Sequence, residues 1–103
     1  MTRLGLPEKK YTKYTSVRFE FDQRKSDVNK RKHGIDFGTA QAIWLDLNRL
    51  EIPARSVTEA RYQVIGRFGG EAWSAFVTYR GEAIRIISVR RARREEKAAY
   101  DAY

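Results

Sequence analysis

The side chains able to do chemistry in this chain are one histidine and a run of arginines. Arg85 interrupts the apolar stretch from Ile84 to Val89, and Arg90, Arg91, Arg93 and Arg94 follow at once. A guanidinium stays charged in proteins and is rarely buried without a partner. An arginine threaded among strand-forming isoleucines therefore implies an anion: a carboxylate of the same chain, a nucleic-acid phosphate, or an acidic partner. His33 is the single histidine, and imidazole is the side chain that changes charge near neutral pH. It is the first candidate for moving a proton. The competing reading is structural, since a histidine just before Gly34 also suits the negative end of a helix dipole. Lys25 and Lys32 share its predicted helix and read as solvated or phosphate-contacting charges. Glu59 reads as a partner for Arg61 or Arg67 rather than a base, and Tyr100 and Tyr103 read as packing residues.

The balance of charge narrows what such cations are for. The 103 residues carry a net charge of +8. Residues 1–35 hold ten Lys or Arg against four Asp or Glu, residues 80–97 hold seven against three, and residues 36–79 are nearly neutral. Two basic blocks around a neutral middle suit a polyanion, whose phosphates drive salt-dependent association. The chain has no cysteine, which removes disulfides, thiol nucleophiles and zinc–thiolate sites. One histidine leaves too few ligands for an all-protein transition-metal centre, so no metal and no cofactor is expected. No apolar run approaches the roughly 18 residues that span a bilayer, and no signal-peptide core follows Met1. The chain reads as a cytoplasmic protein with no membrane partner, long enough for one domain with a single modest core.

Several elements must position these side chains. Residues 1–16 are polar and aperiodic and read as a flexible basic leader to a single domain over 17–103. Val17 to Phe21 alternates as a short strand. Asp22 is a natural N-cap for a helix from Gln23 to His33, and Gly34 a natural terminator. Asp36 caps a second helix whose Phe37, Ala40, Ile43, Trp44 and Leu47 follow the spacing of a buried face. A connector with Pro53 follows, holding an edge strand near Arg49–Ile52. Three runs then alternate, Arg61–Phe68, Glu71–Tyr79 and Glu82–Arg90, with Gly69-Gly70 and Arg80-Gly81 as two-residue hairpin loops. The expected class is α+β: an antiparallel sheet of an N-terminal strand and a three-stranded meander, two helices on one face, and a helix from Arg93 to Tyr103.

The loops fix a register. Residues opposite one another across antiparallel strands share a face. One face collects Val64, Trp73, Ala75, Val77, Ile84 and Ile86 as core. The other collects Arg61, Gln63, Ile65, Arg67, Ala72, Ser74, Phe76, Thr78, Arg85, Ile87 and Val89, with Gln63, Phe76 and Arg85 aligned. Arginine is the only charged residue on that second face, which is the composition of a recognition surface rather than a merely solvated one. Strict alternation carries Arg90 to the core side beside Glu71, where it would make a structural ion pair; no bulge is expected in Ile86–Val89.

Three groups of residues, taken in order, resemble one family. They are Phe19-Glu20-Phe21-Asp22 with Asn29 to Ile35 and Phe37; Glu59-Ala60-Arg61 with Ile65-Gly66-Arg67; and Arg80-Gly81 with Ile84 to Arg90, Arg94-Glu95-Glu96 and Tyr100. Together they are similar to the pattern of the BrnT bacterial toxins over residues 17–103. The basic leader lies outside that pattern, and the connector 49–58 is shorter than the family's acidic loop. The resemblance implies a RelE-like fold and a metal-independent ribonuclease that cuts RNA and stops translation. It also implies a ribbon-helix-helix antitoxin, BrnA-like, which neutralises the toxin and joins it on operator DNA. Such cleavage needs a base for the 2′-hydroxyl proton, cations for the charged transition state and an acid for the leaving 5′-oxygen. His33, Arg67 and Arg85 are the residues expected around the scissile phosphate. Lys25, Lys32, Arg61, Gln63, Phe76, Arg80, Arg91 and Arg94 are expected to contact RNA. The alternative is a non-catalytic basic module that binds nucleic acid or an acidic protein.

Overall fold

Aspartates open both N-terminal helices. In the computed structural model of the chain, which describes residues 17–103, Asp22 Oδ1 accepts from the Lys25 N–H at 3.1 Å and starts α1 (Gln23–His33). Gly34, at φ 80°, ends α1 in the left-handed conformation that glycine reaches without steric cost. Asp36 Oδ1 accepts from the Thr39 N–H at 2.7 Å and opens α2 (Phe37–Ala40). The long amphipathic helix expected here is not sustained, because Gln41–Leu45 tightens to 3₁₀ turns. Phe37, Ala40, Ile43 and Trp44 are buried as expected. Leu47 falls beyond the last turn and is 66% exposed, since a 3₁₀ winding does not keep the helical face in phase. The leader expected over residues 1–16 lies outside the described residues.

Five strands form one sheet: β1 (Arg18–Glu20), β2 (Leu50–Ala54), β3 (Arg61–Phe68), β4 (Glu71–Arg80) and β5 (Ala83–Arg91). Their order is β1-β5-β4-β3-β2, and α3 (Arg94–Ala102) closes the chain. The class is α+β, but the sheet is mixed rather than antiparallel: β1 runs parallel to β5, with Phe19 beside Ile84 and Glu20 beside Arg85. Hairpin loops dictate antiparallel neighbours, whereas β1 reaches β5 only across the rest of the domain, so no local turn sets its direction. One face of the sheet packs Val64, Trp73, Ala75, Val77, Ile84, Ile86 and Val89 against Ile35, Phe37, Ala40, Ile43 and Trp44. Phe19 meets Trp44 edge-on at 5.2 Å and Phe21 meets Phe37 at 5.8 Å, which fastens β1 and the entry to α1. Gly66 admits the 3₁₀ segment to the sheet, because a Cβ there would stand 2.9 Å from Ile43 Cγ2.

The hairpins set most of the register. Gly69 and Gly70, both at positive φ, let Phe68 face Glu71 across a two-residue loop. The β4–β5 loop is Gly81-Glu82 rather than Arg80-Gly81, since Arg80 pairs with Ala83. A second departure has larger consequences. Val77 pairs with Ile86 but Phe76 pairs with Ser88, so Ile87 is the extra residue of a β-bulge. The expectation of an unbulged strand is wrong, and the added residue flips every side chain after it. Val89 turns into the core, fully buried. Arg90 turns to the second face opposite Ser74, the face that Arg85 also occupies opposite Thr78. Arg91, not Arg90, becomes the neighbour of Glu71. The row through Gln63 and Phe76 ends at Ser88 instead of Arg85.

Beyond Arg85, no described strand continues along the outer edge of β5. Asn29 supplies the missing pairing from α1. Its Nδ2 donates to the Val89 carbonyl at 2.9 Å and to the Ile35 carbonyl at 2.8 Å, and its Oδ1 accepts from the Val89 N–H at 3.2 Å. Buried backbone groups have to be paired somewhere, and here a side-chain amide does what a strand would do. Asn29→Ala should therefore destabilise the fold by about 2–3 kcal/mol, the cost of leaving those groups unsatisfied. Urea titration should show a lower midpoint at an unchanged slope.

Candidate functional site

The bulge and α1 together enclose a groove. Arg24, Lys25, Val28, Asn29, Lys32 and His33 recur at helical spacing along one side of α1, and with Ile87 and Ser88 they line a space of about 290 Å³. Arg24, Lys25, Lys32 and His33 are exposed, and no carboxylate is among the lining residues. Asp22 is the carboxylate that feels Arg24 and Lys25, and the four basic side chains of the groove outnumber it, which attracts anions. A larger groove, about 410 Å³, runs from Val17 and Phe19 along the stretch Gly38–Leu45, but no charged residue lines it. It offers no cation to a phosphate.

The second face of the sheet adjoins the basic groove through Ser88. Arg85 lies two residues before Ile87, its Nη1 3.7 Å from Glu20 Oε1. That pair is about one-third exposed and too long for a hydrogen bond, so it holds Arg85 only loosely. Arg61 continues the same row beyond Thr78, and its Nε is buried with no hydrogen-bond partner among the described residues. Arg80 is exposed at the end of β4. Arg67 lies elsewhere: opposite Ala72, six residues along β4 from Thr78 and so roughly 20 Å away. Its guanidinium sits 5.5 Å from the Tyr100 ring centre and 3.9 Å from Asp101. Arg91 lies over Trp73, 5.6 Å from its ring centre and 3.9 Å from Glu71, and Arg94 is exposed at the start of α3. The structure thus gathers His33, Lys25 and Lys32 in one groove, leaves Arg85 two residues from its wall and Arg61 in the row of Arg85 two strands away, and sets Arg67 six residues further along the sheet.

Two residues expected to contact RNA are engaged inside the protein. Gln63 Nε2 donates to Glu96 Oε2 at 2.8 Å and to Ser74 Oγ at 3.1 Å. Phe76 lies beneath the Arg90 guanidinium, 5.2 Å from its ring centre. Arg90 in turn grips Glu96 with two parallel hydrogen bonds of 2.9 and 2.8 Å. Ser74 Oγ and the Arg93 N–H also donate to that carboxylate. The Arg90 guanidinium above all, with these other donors, outweighs burial and holds the Glu96 carboxyl at about 2. Glu96 is therefore a fixed anion at neutral pH and not a proton carrier. It is a latch for α3, a helix none of whose own residues is buried. At the far end of α3 the Tyr100 hydroxyl donates to Asp46 Oδ2 at 2.6 Å, and the Arg67 N–H donates to the same atom. Burial opposes the charge on Asp46, but the hydrogen bonds from Tyr100, Arg67 and Asn48 hold its carboxyl below the usual range. The same bond holds the Tyr100 phenol above its ordinary value.

Sequence reasoning missed Arg24, Asn29, Ser88 and the Glu96 latch. The only local hint of the latch is a glutamate three residues after Arg93, the return half of a capping box.

The model of the family described as the ribonuclease toxin BrnT of type II toxin–antitoxin systems matches residues 21–96. The chain belongs to the BrnT family. The matched span takes in α1, the bulged β5 and Glu96, which are the groove and the latch that closes the sheet beside it. As a BrnT toxin the chain has RNA as its target and an antitoxin as its partner. No curated protein matches it. Among the described residues, no helix is long and apolar enough to cross a membrane, and no three His, Cys, Asp or Glu side chains gather in a group able to hold a metal ion.

Proposed function

We propose that this BrnT toxin is a metal-independent endoribonuclease whose catalytic centre is the basic groove between α1 and the bulged β5. The observation that carries the proposal is a concavity lined by Arg24, Lys25, Lys32 and His33 with no carboxylate among its lining residues. His33 exchanges a proton with the attacking 2′-hydroxyl or the leaving 5′-oxygen, and Lys25 and Lys32 stabilise the charge that builds on the phosphate. Arg85 and Arg61 receive adjoining phosphates on the second face of the sheet, where bidentate guanidinium geometry suits them. Arg67 falls outside this centre, and Gln63 and Phe76 support α3 and Arg90 instead of touching RNA directly. The wider reading is a RelE-like toxin that stops translation in the cytoplasm. A ribbon-helix-helix antitoxin neutralises it, and the pair binds operator DNA together.

Incubation of the purified chain with a defined RNA in excess EDTA tests the chemistry. Cleavage is the expected result; an intact RNA would return the protein to a basic binding module. The Lys25→Ala/Lys32→Ala variant should also flatten the salt dependence of binding to single-stranded RNA. The log–log slope should fall by roughly 0.7 for each lysine that contacts a phosphate.

A further inference from the structure

The basic groove contains an apolar part that the fold does not need. Val28 is the one large apolar residue of α1, yet it is 42% exposed. Ser26 and Asn29, both buried, are the residues that anchor the helix. Ser26 Oγ accepts from the Phe37 N–H, and Asn29 completes β5. Ile87 is the bulge residue, half-buried and without a cross-strand partner. Two branched side chains, one on a helix and one on a strand, thus line the same water-accessible groove among Arg24, Lys25, Lys32 and His33. Neither belongs to the core cluster. Ser88, on the same wall, adds a hydroxyl able to donate and accept.

Concave sites for small ligands combine apolar walls with a few placed polar groups, and a space of about 290 Å³ is at the small end of that class. Bulges commonly re-aim side chains beside active sites. We infer that the groove is a subsite for one unpaired nucleotide. Its base packs against Val28 and Ile87 with an edge toward the Ser88 hydroxyl, and its phosphate rests on Lys25 and Lys32. The identity of the ligand as RNA rests on the ribonuclease reading; the apolar contribution to binding does not. A base stacked inside an A-form duplex cannot enter such a groove, so the toxin selects single-stranded RNA.

The test compares nucleoside 5′-monophosphates with ribose 5-phosphate on the full chain, followed by amide chemical shifts. At least one nucleotide should bind ten-fold or more tightly than ribose 5-phosphate and shift Val28, Asn29, Ile87 and Ser88. Val28→Ser, at an exposed helix position, should weaken the nucleotide about five-fold and leave ribose 5-phosphate unchanged. Equal binding of the two probes, equal loss of both in Val28→Ser, or shifts confined to Arg61 and Arg85 would overturn the subsite. A chain that binds nucleotides in the groove yet leaves RNA intact supports the subsite and overturns the ribonuclease reading. One that cuts RNA without any contribution from the base overturns the subsite alone.

Discussion

Replacing His33 with alanine should slow RNA cleavage by roughly 10²- to 10⁴-fold, the usual worth of a positioned proton-transfer group, while the protein stays folded. The two roles open to His33 separate cleanly in this experiment. As a cap at the end of α1, an exposed histidine contributes about 0.3–1 kcal/mol through the helix dipole. Its loss would then lower the thermal midpoint by only about 5 °C and leave the chemistry alone. As the proton carrier it would remove the chemistry and leave the melt almost unchanged. Single-turnover cleavage with excess enzyme, run beside a circular-dichroism melt, reads both quantities. The pH–rate profile adds a further check, since the limb due to imidazole should vanish in His33→Gln. A variant that cleaves at the wild-type rate would reduce His33 to a cap and move the proton chemistry elsewhere in the groove.

Glu96→Ala should be the most destabilising single change on the second face of the sheet. The carboxylate and the Arg90 guanidinium are 13% and 19% exposed, and the carboxylate accepts from Gln63, Ser74 and the Arg93 N–H as well. Removing it strands a largely buried cation and three other donors. The pair is partly buried, so breaking one side of it should cost about 2–3 kcal/mol, less than for a fully buried pair, and the thermal midpoint should fall by roughly 10–20 °C. Arg90→Met combined with Glu96→Leu should cost less than the sum of the two single changes, because no charge is then left unpaired. The same carboxylate gives stability a pH dependence of known sign. Its folded value of about 2 lies below the ordinary 4.5, so its contribution is complete above about 4.5 and is lost as pH falls toward 2. The amount is about 3 kcal/mol. Denaturant midpoints should decline across that window in the wild type and stay flatter in Glu96→Gln.

Local chemistry was the legible part of the sequence. Asp22, Gly34, Asp36 and the Gly69-Gly70 pair each act within a few residues of themselves, and the elements they start or stop lie where their types indicate. Non-local choices were not legible. Nothing near Arg18–Glu20 tells it to run parallel to β5, because the partner is supplied by the far end of the chain. The bulge was hidden by its own residues. Ile86 and Ile87 are equally good strand formers, and only the burial of Val89 and the reach of Asn29 decide which of them is left over. From that single residue follow the exchange of Arg90 and Arg91 between faces and the groove itself. Glu95 and Glu96 look alike in sequence, but only one of them stands above Ser74 and Arg90. Lys25, Lys32 and His33 could be named from their types, whereas Arg24 in the groove, and the division between Arg85 near it and Arg67 at the far end, needed the helix face and the strand register.

The reach of Asn29 across sixty positions to Val89 has a meaning for the timing of synthesis. The two walls of the basic groove are far apart in sequence: α1 precedes the meander, and Ile87 and Ser88 lie in its last strand. Contacts so distant in sequence form late and slowly, and α1, polar on nearly every side, has little to hold it before they do. The groove is therefore incomplete until β5 has been made. It takes shape only when β5 has joined the sheet and Asn29 reaches Val89.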